Sequence, residues 1–375
     1  MNTIDMFAAQ TLTRDEPPIS VTPEVEALLR AGAPVAIGVS GGKDSDIAAL
    51  HTIPYLDALG HQGPRVLIHS DLGRVEWADS LPQCERLAAR LGLELIVVRR
   101  QSGGMMERWQ TRWANNVARY AALECVKLIL PWSTAAMRFC TSELKTAIIC
   151  RELVRRFPGQ TILSVSGIRR EESPKRRLAP IVKEQPKLSS VTHGTRGYDW
   201  HPILDLTKAE VLAAHERHGF PLHEAYTRYG SSRVSCAFCI LGSQADLSAS
   251  ASCEANADIY REMVDLEITS SFSFQEGWLG DVAPQLLDER ARAGLARAKE
   301  VAKLRESAER HIPAHLLYTK GWPTVMPTED EAALLCQVRR SVAAAVGLEI
   351  DYTDPAKLIA RYAELMAARP KETTE

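Results

Sequence analysis

The chain has 375 residues, 45% hydrophobic and 25% charged, and its 45 Lys and Arg against 47 Asp and Glu give a net charge of −2. That balance is ordinary for a globular protein and excludes the overall basic excess of a chain that grips long nucleic acid with its whole surface. No run of about 18 apolar residues occurs, so no membrane span is expected. Met1-Asn2-Thr3-Ile4-Asp5 offers neither a basic nor an apolar leader region, so a cytoplasmic location is expected.

In chain order, residues 1–30 are polar, with Pro17 and Pro18, and close on a short helix, Val25–Arg30. Residues 34–39 read as a buried strand, followed by a helix to about Leu59 that Pro54 should kink or end. Arg65–His69 and Glu94–Val98 are two more apolar strands. Between them, Leu81, Cys84, Leu87, Ala88 and Leu91 carry helical spacing. Trp109, Trp113, Val117 and Tyr120 form one stripe of a further helix, a core pattern. Thr141–Phe157 is helical, Pro158-Gly159 stops it, and Thr161–Val165 is a fourth strand. Residues 178–206 read as an irregular or hairpin excursion. Thr207 with Glu210 makes a capping box. Helices are expected over 255–268, 283–310, 329–346 and 354–369. Strands alternating with helices predict an α/β fold, a parallel doubly wound sheet with a helical C-terminal extension. The expected division is an N-terminal segment 1–30, an α/β domain 31–225, and a Cys-containing and helical region 226–375.

The chemistry concentrates where strands end. Ser40-Gly41-Gly42-Lys43-Asp44-Ser45 follows the first strand and opens a helix. Glycines there let backbone N–H groups and a positive helix end approach a phosphate, and Lys43 adds a full charge. The pattern is not the Walker loop, because Asp44 follows the lysine and Ile37 stands where its first glycine would be. In parallel sheets ligands bind at the carboxyl ends of strands, which puts Ser40–Ser45, Asp71–Gly73 and Gly167–Glu172 on one rim. Asp71 is placed to meet a ribose hydroxyl, an adenine edge or Mg²⁺, or to cap a turn. Gly167 begins an arginine-rich run with Arg169, Arg170 and Arg176, which reads as an anion clamp or as a solvated loop.

Eight cysteines occur, and close pairs in a chain of this kind point to metal or redox work rather than disulfides. Cys236 and Cys239 form a C-x-x-C pair. Cys140, just before a helix, and Cys253 are the candidate additional metal ligands. Cys140 is also a candidate reactive thiol.

SGGKDS (40–45), HSDLG (69–73), RFCTSELK (138–145), GIRREES (167–173), WHPILDLT (200–207) and RVSCAFC (233–239) together resemble the phosphoadenosine phosphosulfate (PAPS) reductase family of PP-loop ATP pyrophosphatases. Their content is most similar to the enzymes of DNA phosphorothioation. The resemblance spans about residues 33–247 and implies an adenine-nucleotide α-hydrolase-like fold. ATP and Mg²⁺ would sit on Ser40, Gly41, Gly42, Lys43, Asp44, Ser45, Asp71, Gly167, Arg170 and Arg176. Lys43, Asp44, Arg169 and Cys140 would be catalytic. The resemblance also implies a [4Fe-4S] cluster: among the candidate metal ligands Cys140, Cys236, Cys239 and Cys253, three would hold it and leave one iron open to carry a sulfide. The implied partners are ATP and an oxyanion acceptor, extending to DNA, a cysteine desulfurase and other modification-system proteins. Two features depart from true sulfonucleotide reductases. The chain has no Glu-Cys-Gly-Leu-His type segment, Cys336 lying instead in Leu335-Cys336-Gln337, and its phosphate loop is intact. Sulfonucleotide reduction, sulfate adenylylation and a non-catalytic nucleotide-binding module remain the competing expectations.

Overall fold

The computed structural model describes residues 18–370, and within them six strands form one sheet. The N-terminal residues 1–17, including the segment read for a leader, lie outside that description. The strands are β1 (Val35–Gly38), β2 (Arg65–Asp71), β3 (Glu94–Arg99), β4 (Thr161–Val165), β5 (Val182–Glu184) and β6 (Arg196–Trp200), in the order β3-β2-β1-β4-β6-β5. All neighbours run parallel except β5, which pairs antiparallel with β6. The excursion at 178–206 therefore supplies the sheet with two strands. The fold is α/β, with helices on both faces.

Alternation along the strands sorts the core into two layers. Val35 and Ile37 of β1 and Leu67 of β2 pack with α1 (Pro23–Arg30), α2 (Lys43–Ala58) and α3 (Ser80–Leu91). Ala36, Val66 and Ile68 face the other way, onto Cys150, Leu153, Val154 and Phe157 around the helix Ala147–Arg156. Pro54 stands inside α2 and does not end it, the helix running on to Ala58. The helix expected over Thr141–Phe157 is interrupted: Ser142–Thr146 winds as a wide π turn before Ala147–Arg156.

Contacts group the described residues into two units. The sheet unit contains the chain up to Met105 together with Arg138–Asn256. It thus keeps the C-x-x-C segment. The second unit joins Met106–Met137 to the chain from Ala257 onward. In that unit α4 (Met105–Ala121) carries Trp109, whose ring meets Trp132 at 5.3 Å and Phe274 at 6.1 Å. Arg339, fully buried, donates to the carbonyls of Tyr120 (2.8 Å), Ala121 (3.1 Å) and Asp351 (2.9 Å).

Two glycines fix how the sheet meets the loop. Gly41 has φ +72°, a left-handed conformation that side chains resist. Gly167, at the end of β4, lies so close to α2 that an added Cβ would stand 2.3 Å from the Asp44 carbonyl oxygen. Gly167→Ala must push the loop and β4 apart. We expect a loss of about 1–3 kcal/mol in urea unfolding, the usual cost of overpacking. An unchanged midpoint would mean the junction gives freely.

Candidate functional site

The loop Ser40–Gly42 turns from β1 into α2, and its own hydroxyls hold it. Ser45 Oγ donates to the Gly42 carbonyl at 2.8 Å and accepts from the Ser40 N–H at 3.3 Å. Gly42 caps α2 without a side chain, so the first turn presents backbone N–H groups. Lys43 is only 6% exposed, with Nζ 3.0 Å from Asp44 Oδ2 and 5.1 Å from the centre of the Tyr226 ring. Its backbone N–H donates to Tyr226 Oη at 3.3 Å. Asp46, fully buried one turn in, accepts from Gln83 Nε2 at 3.1 Å. Burial pushes its carboxyl up to about 7 against the pull of Gln83 and Ser45.

The arginine run is largely spoken for by carboxylates. Arg169, 4% exposed, places Nε 2.6 Å from Asp44 Oδ1 and Nη1 2.8 Å from Glu171 Oε2. Arg170 pairs with Asp205 at 2.6 Å and donates to the Arg177 and Ala179 carbonyls. Arg176 pairs with Glu172. The clamp expected from the sequence is in this form a braced loop, because its motif carries its own acids. Asp71 closes the end of β2 by pairing with Arg99 and accepting from the Gly73 N–H at 2.6 Å. Burial works to raise its carboxyl, but the Arg99 and Gly73 hydrogen bonds prevail and hold it below the usual range.

The C-x-x-C segment lies beside the residues that follow β2. The backbones of Glu76 and Cys236 pair in an isolated antiparallel bridge, and the Ala237 N–H donates to the Val75 carbonyl at 2.7 Å. Burial raises the half-buried Cys236 thiol; Lys145 opposes this, and Cys239, Glu76 and Cys140 add to it, so all four groups lie within electrostatic reach. Cys239 Sγ accepts from the Leu241 N–H at 3.5 Å. Cys253 is buried and interacts with Tyr229, whose phenol is raised first by that hydrogen bond. Among the described residues no group of three or more His, Cys, Asp or Glu is arranged to hold a metal ion. As placed, the four cysteines do not make the cluster site expected of them. Mg²⁺ is ordinarily held by substrate phosphates with one or two carboxylates, so a preformed cage is not required of it.

A family model for the phosphoadenosine phosphosulfate reductase domain matches residues 34–241, more than half of the chain. The chain belongs to that family. A comparison with curated proteins gave no match. Among solved structures, the PAPS reductase from Candida auris in a phosphate complex is similar at 12% identity and TM-score 0.35, covering 59% of this chain and 98% of that one. The Candida glabrata FMN adenylyltransferase, solved with FMN and an ATP analogue, is similar at 17% identity and TM-score 0.35. The match covers 56% of each of those two chains, so the present chain spans little more than half the length of that enzyme.

Several residues at this rim carried no site signal in the sequence. Tyr226 and His215 reach Lys43 from far along the chain, His215 Nε2 lying 3.0 Å from the Lys43 carbonyl. His69 had a signal, its place in HSDLG, but not its role. It is buried, with Nδ1 3.0 Å from the Val39 carbonyl and 3.7 Å from Cys84 Sγ, and Nε2 3.3 Å from Glu76 Oε2. Acceptors on both ring nitrogens call for an imidazolium. Burial disfavours that charge, yet the Cys84 and Glu76 hydrogen bonds lift the pKa to about 10. A raised folded-state pKa stabilises fully below the unfolded value of about 6.5 and fades as pH climbs through about 10. In unfolding titrations across that window, wild type should therefore lose more stability than His69→Gln. Parallel curves would remove the charged histidine.

Proposed function

We propose that this member of the family splits ATP between its α and β phosphates, adenylylates an oxyanion acceptor and supports replacement of an acceptor oxygen by sulfur. The observation that carries the reading is the intact loop. A buried lysine, a helix start whose N-cap residue has no capping side chain and two glycines converge at the carboxyl end of β1, where a parallel sheet receives its ligand.

In this reading the triphosphate draws Lys43 Nζ away from Asp44. The carboxylate is not stranded by the move, because Arg169 Nε stays 2.6 Å from its other oxygen. The acceptor oxygen attacks the α-phosphorus and pyrophosphate leaves into the backbone N–H groups of the α2 turn, with Lys43 countering its charge. A sulfur nucleophile then attacks the activated centre and AMP departs with the original oxygen. Mg²⁺, when bound to the phosphates, would shield their charge. The half-buried thiols of Cys140, Cys236 and Cys239 support the sulfur step. For the acceptor we infer a DNA phosphodiester, with sulfur supplied by a cysteine desulfurase. The supports here are the resemblance of the motifs and the Cys236–Cys239 pair.

Two competing readings are weaker. A sulfonucleotide reductase would need an accessible reductive cysteine toward its C-terminus, whereas Cys336 is fully buried in the helix Glu329–Val346. A non-catalytic module would bind ATP without cleaving it. The assay is pyrophosphate release from ATP by the full chain. Lys43→Ala should lower the rate by about 10²–10³-fold, as for loss of one charge-stabilising donor. Equal rates would take the loop out of the chemistry. Consumption of PAPS without ATP would favour the reductase. Sulfur found in an added oligonucleotide, dependent on ATP and a desulfurase, would fix the acceptor.

A further inference from the structure

One side chain joins the phosphate loop to the C-x-x-C segment. Tyr226 Oη accepts the Lys43 N–H at 3.3 Å and the Val234 N–H at 3.2 Å. The first is the opening amide of α2, one of the donors a phosphate at a helix start would use. The second lies two residues before Cys236. Burial raises the Tyr226 phenol strongly, so it stays neutral, and its own proton has no acceptor among the described residues. A Cβ on Gly42 would meet Tyr226 Oη at 3.6 Å and Val234 Cβ at 3.7 Å, so both residues lie directly over the turn.

We propose that Tyr226 is a positioning residue that couples occupancy of the phosphate loop to the placement of the Cys236–Cys239 segment. The inference rests on the ATP-binding reading above. A phosphate oxygen that takes the Lys43 N–H must displace Tyr226 Oη, which occupies that donor. When Tyr226 leaves, the Val234 N–H loses its acceptor. The chain is then held on the far side of Cys236 by the Ala237 N–H bond to Val75. Phosphate binding thus loosens the approach to the thiols while their anchor persists. Sulfur chemistry is in this way made to wait for nucleotide.

The test uses the full chain with two probes, inorganic pyrophosphate and α,β-methylene-ATP. Deuterium uptake at residues 232–236 and iodoacetamide labelling of Cys236 should both rise on adding either probe to wild type. The expected change is about fivefold, the weight of one net hydrogen bond. Tyr226→Phe keeps the ring and loses the oxygen. Its uptake and labelling should be high without ligand and unresponsive to it, and it should bind pyrophosphate about fivefold more tightly, because the competing acceptor is gone. A purely packing role for the tyrosine would move neither the ligand response nor the affinity in this way. If the variant does not fold, the wild-type uptake decides alone. Probe binding to wild type with unchanged uptake and labelling overturns the coupling and leaves the ATP reading standing. Absence of probe binding to wild type overturns both.

Discussion

Asp44 stands between two buried cations, with Lys43 Nζ 3.0 Å from one carboxylate oxygen and Arg169 Nε 2.6 Å from the other. The geometry of the rim depends on that arrangement. Its side chain joins the loop to the segment after β4, and its carbonyl is the atom against which Gly167 presses. A lysine buried to this degree needs a counterion. Here the counterion also holds an arginine, so each carboxylate oxygen of Asp44 has a cationic partner. The aspartate that separates this loop from the Walker pattern is therefore the residue that pairs both cations.

The same economy explains the arginine run. Glu171, Glu172 and Asp205 neutralise Arg169, Arg176 and Arg170, and the Glu171 carboxylate also accepts the Lys208 N–H at 2.6 Å. The run is thereby sewn to the start of the helix Lys208–His218. A free cluster of guanidinium groups beside Lys43 would repel it. A paired cluster fixes the loop without adding that repulsion.

Local features of the fold were legible in the sequence because they depend on local pattern. The apolar runs at 34–39, 65–69, 94–98 and 161–165 each became a strand, and Thr207 with Glu210 became the capping box that their spacing announced. The SGGKDS turn sits where strand-turn-helix logic placed it. What escaped was long-range. Tyr226 is 183 residues from Lys43, and nothing in its neighbours marks it as part of the loop. The pairing of the arginines was likewise out of view, because sequence displays charge but not its partners. Nor does the sequence show that Cys253, a candidate additional ligand, interacts with Tyr229.

The helical region is no appendix to a finished domain. Its core is begun by residues 106–137, deep inside the span of the family match, and completed only after Ala257. Trp113 meets Phe272 at 6.1 Å, Trp132 meets Phe274 at 5.1 Å, and the guanidinium of Arg339 ties down the end of α4. A fragment cut to the family boundaries would carry three indoles, at 109, 113 and 132, with their partners Phe272 and Phe274 left behind. Such a fragment would be sticky before it was inactive. The packing unit begun at residues 106–137 thus extends beyond the family match that contains its start.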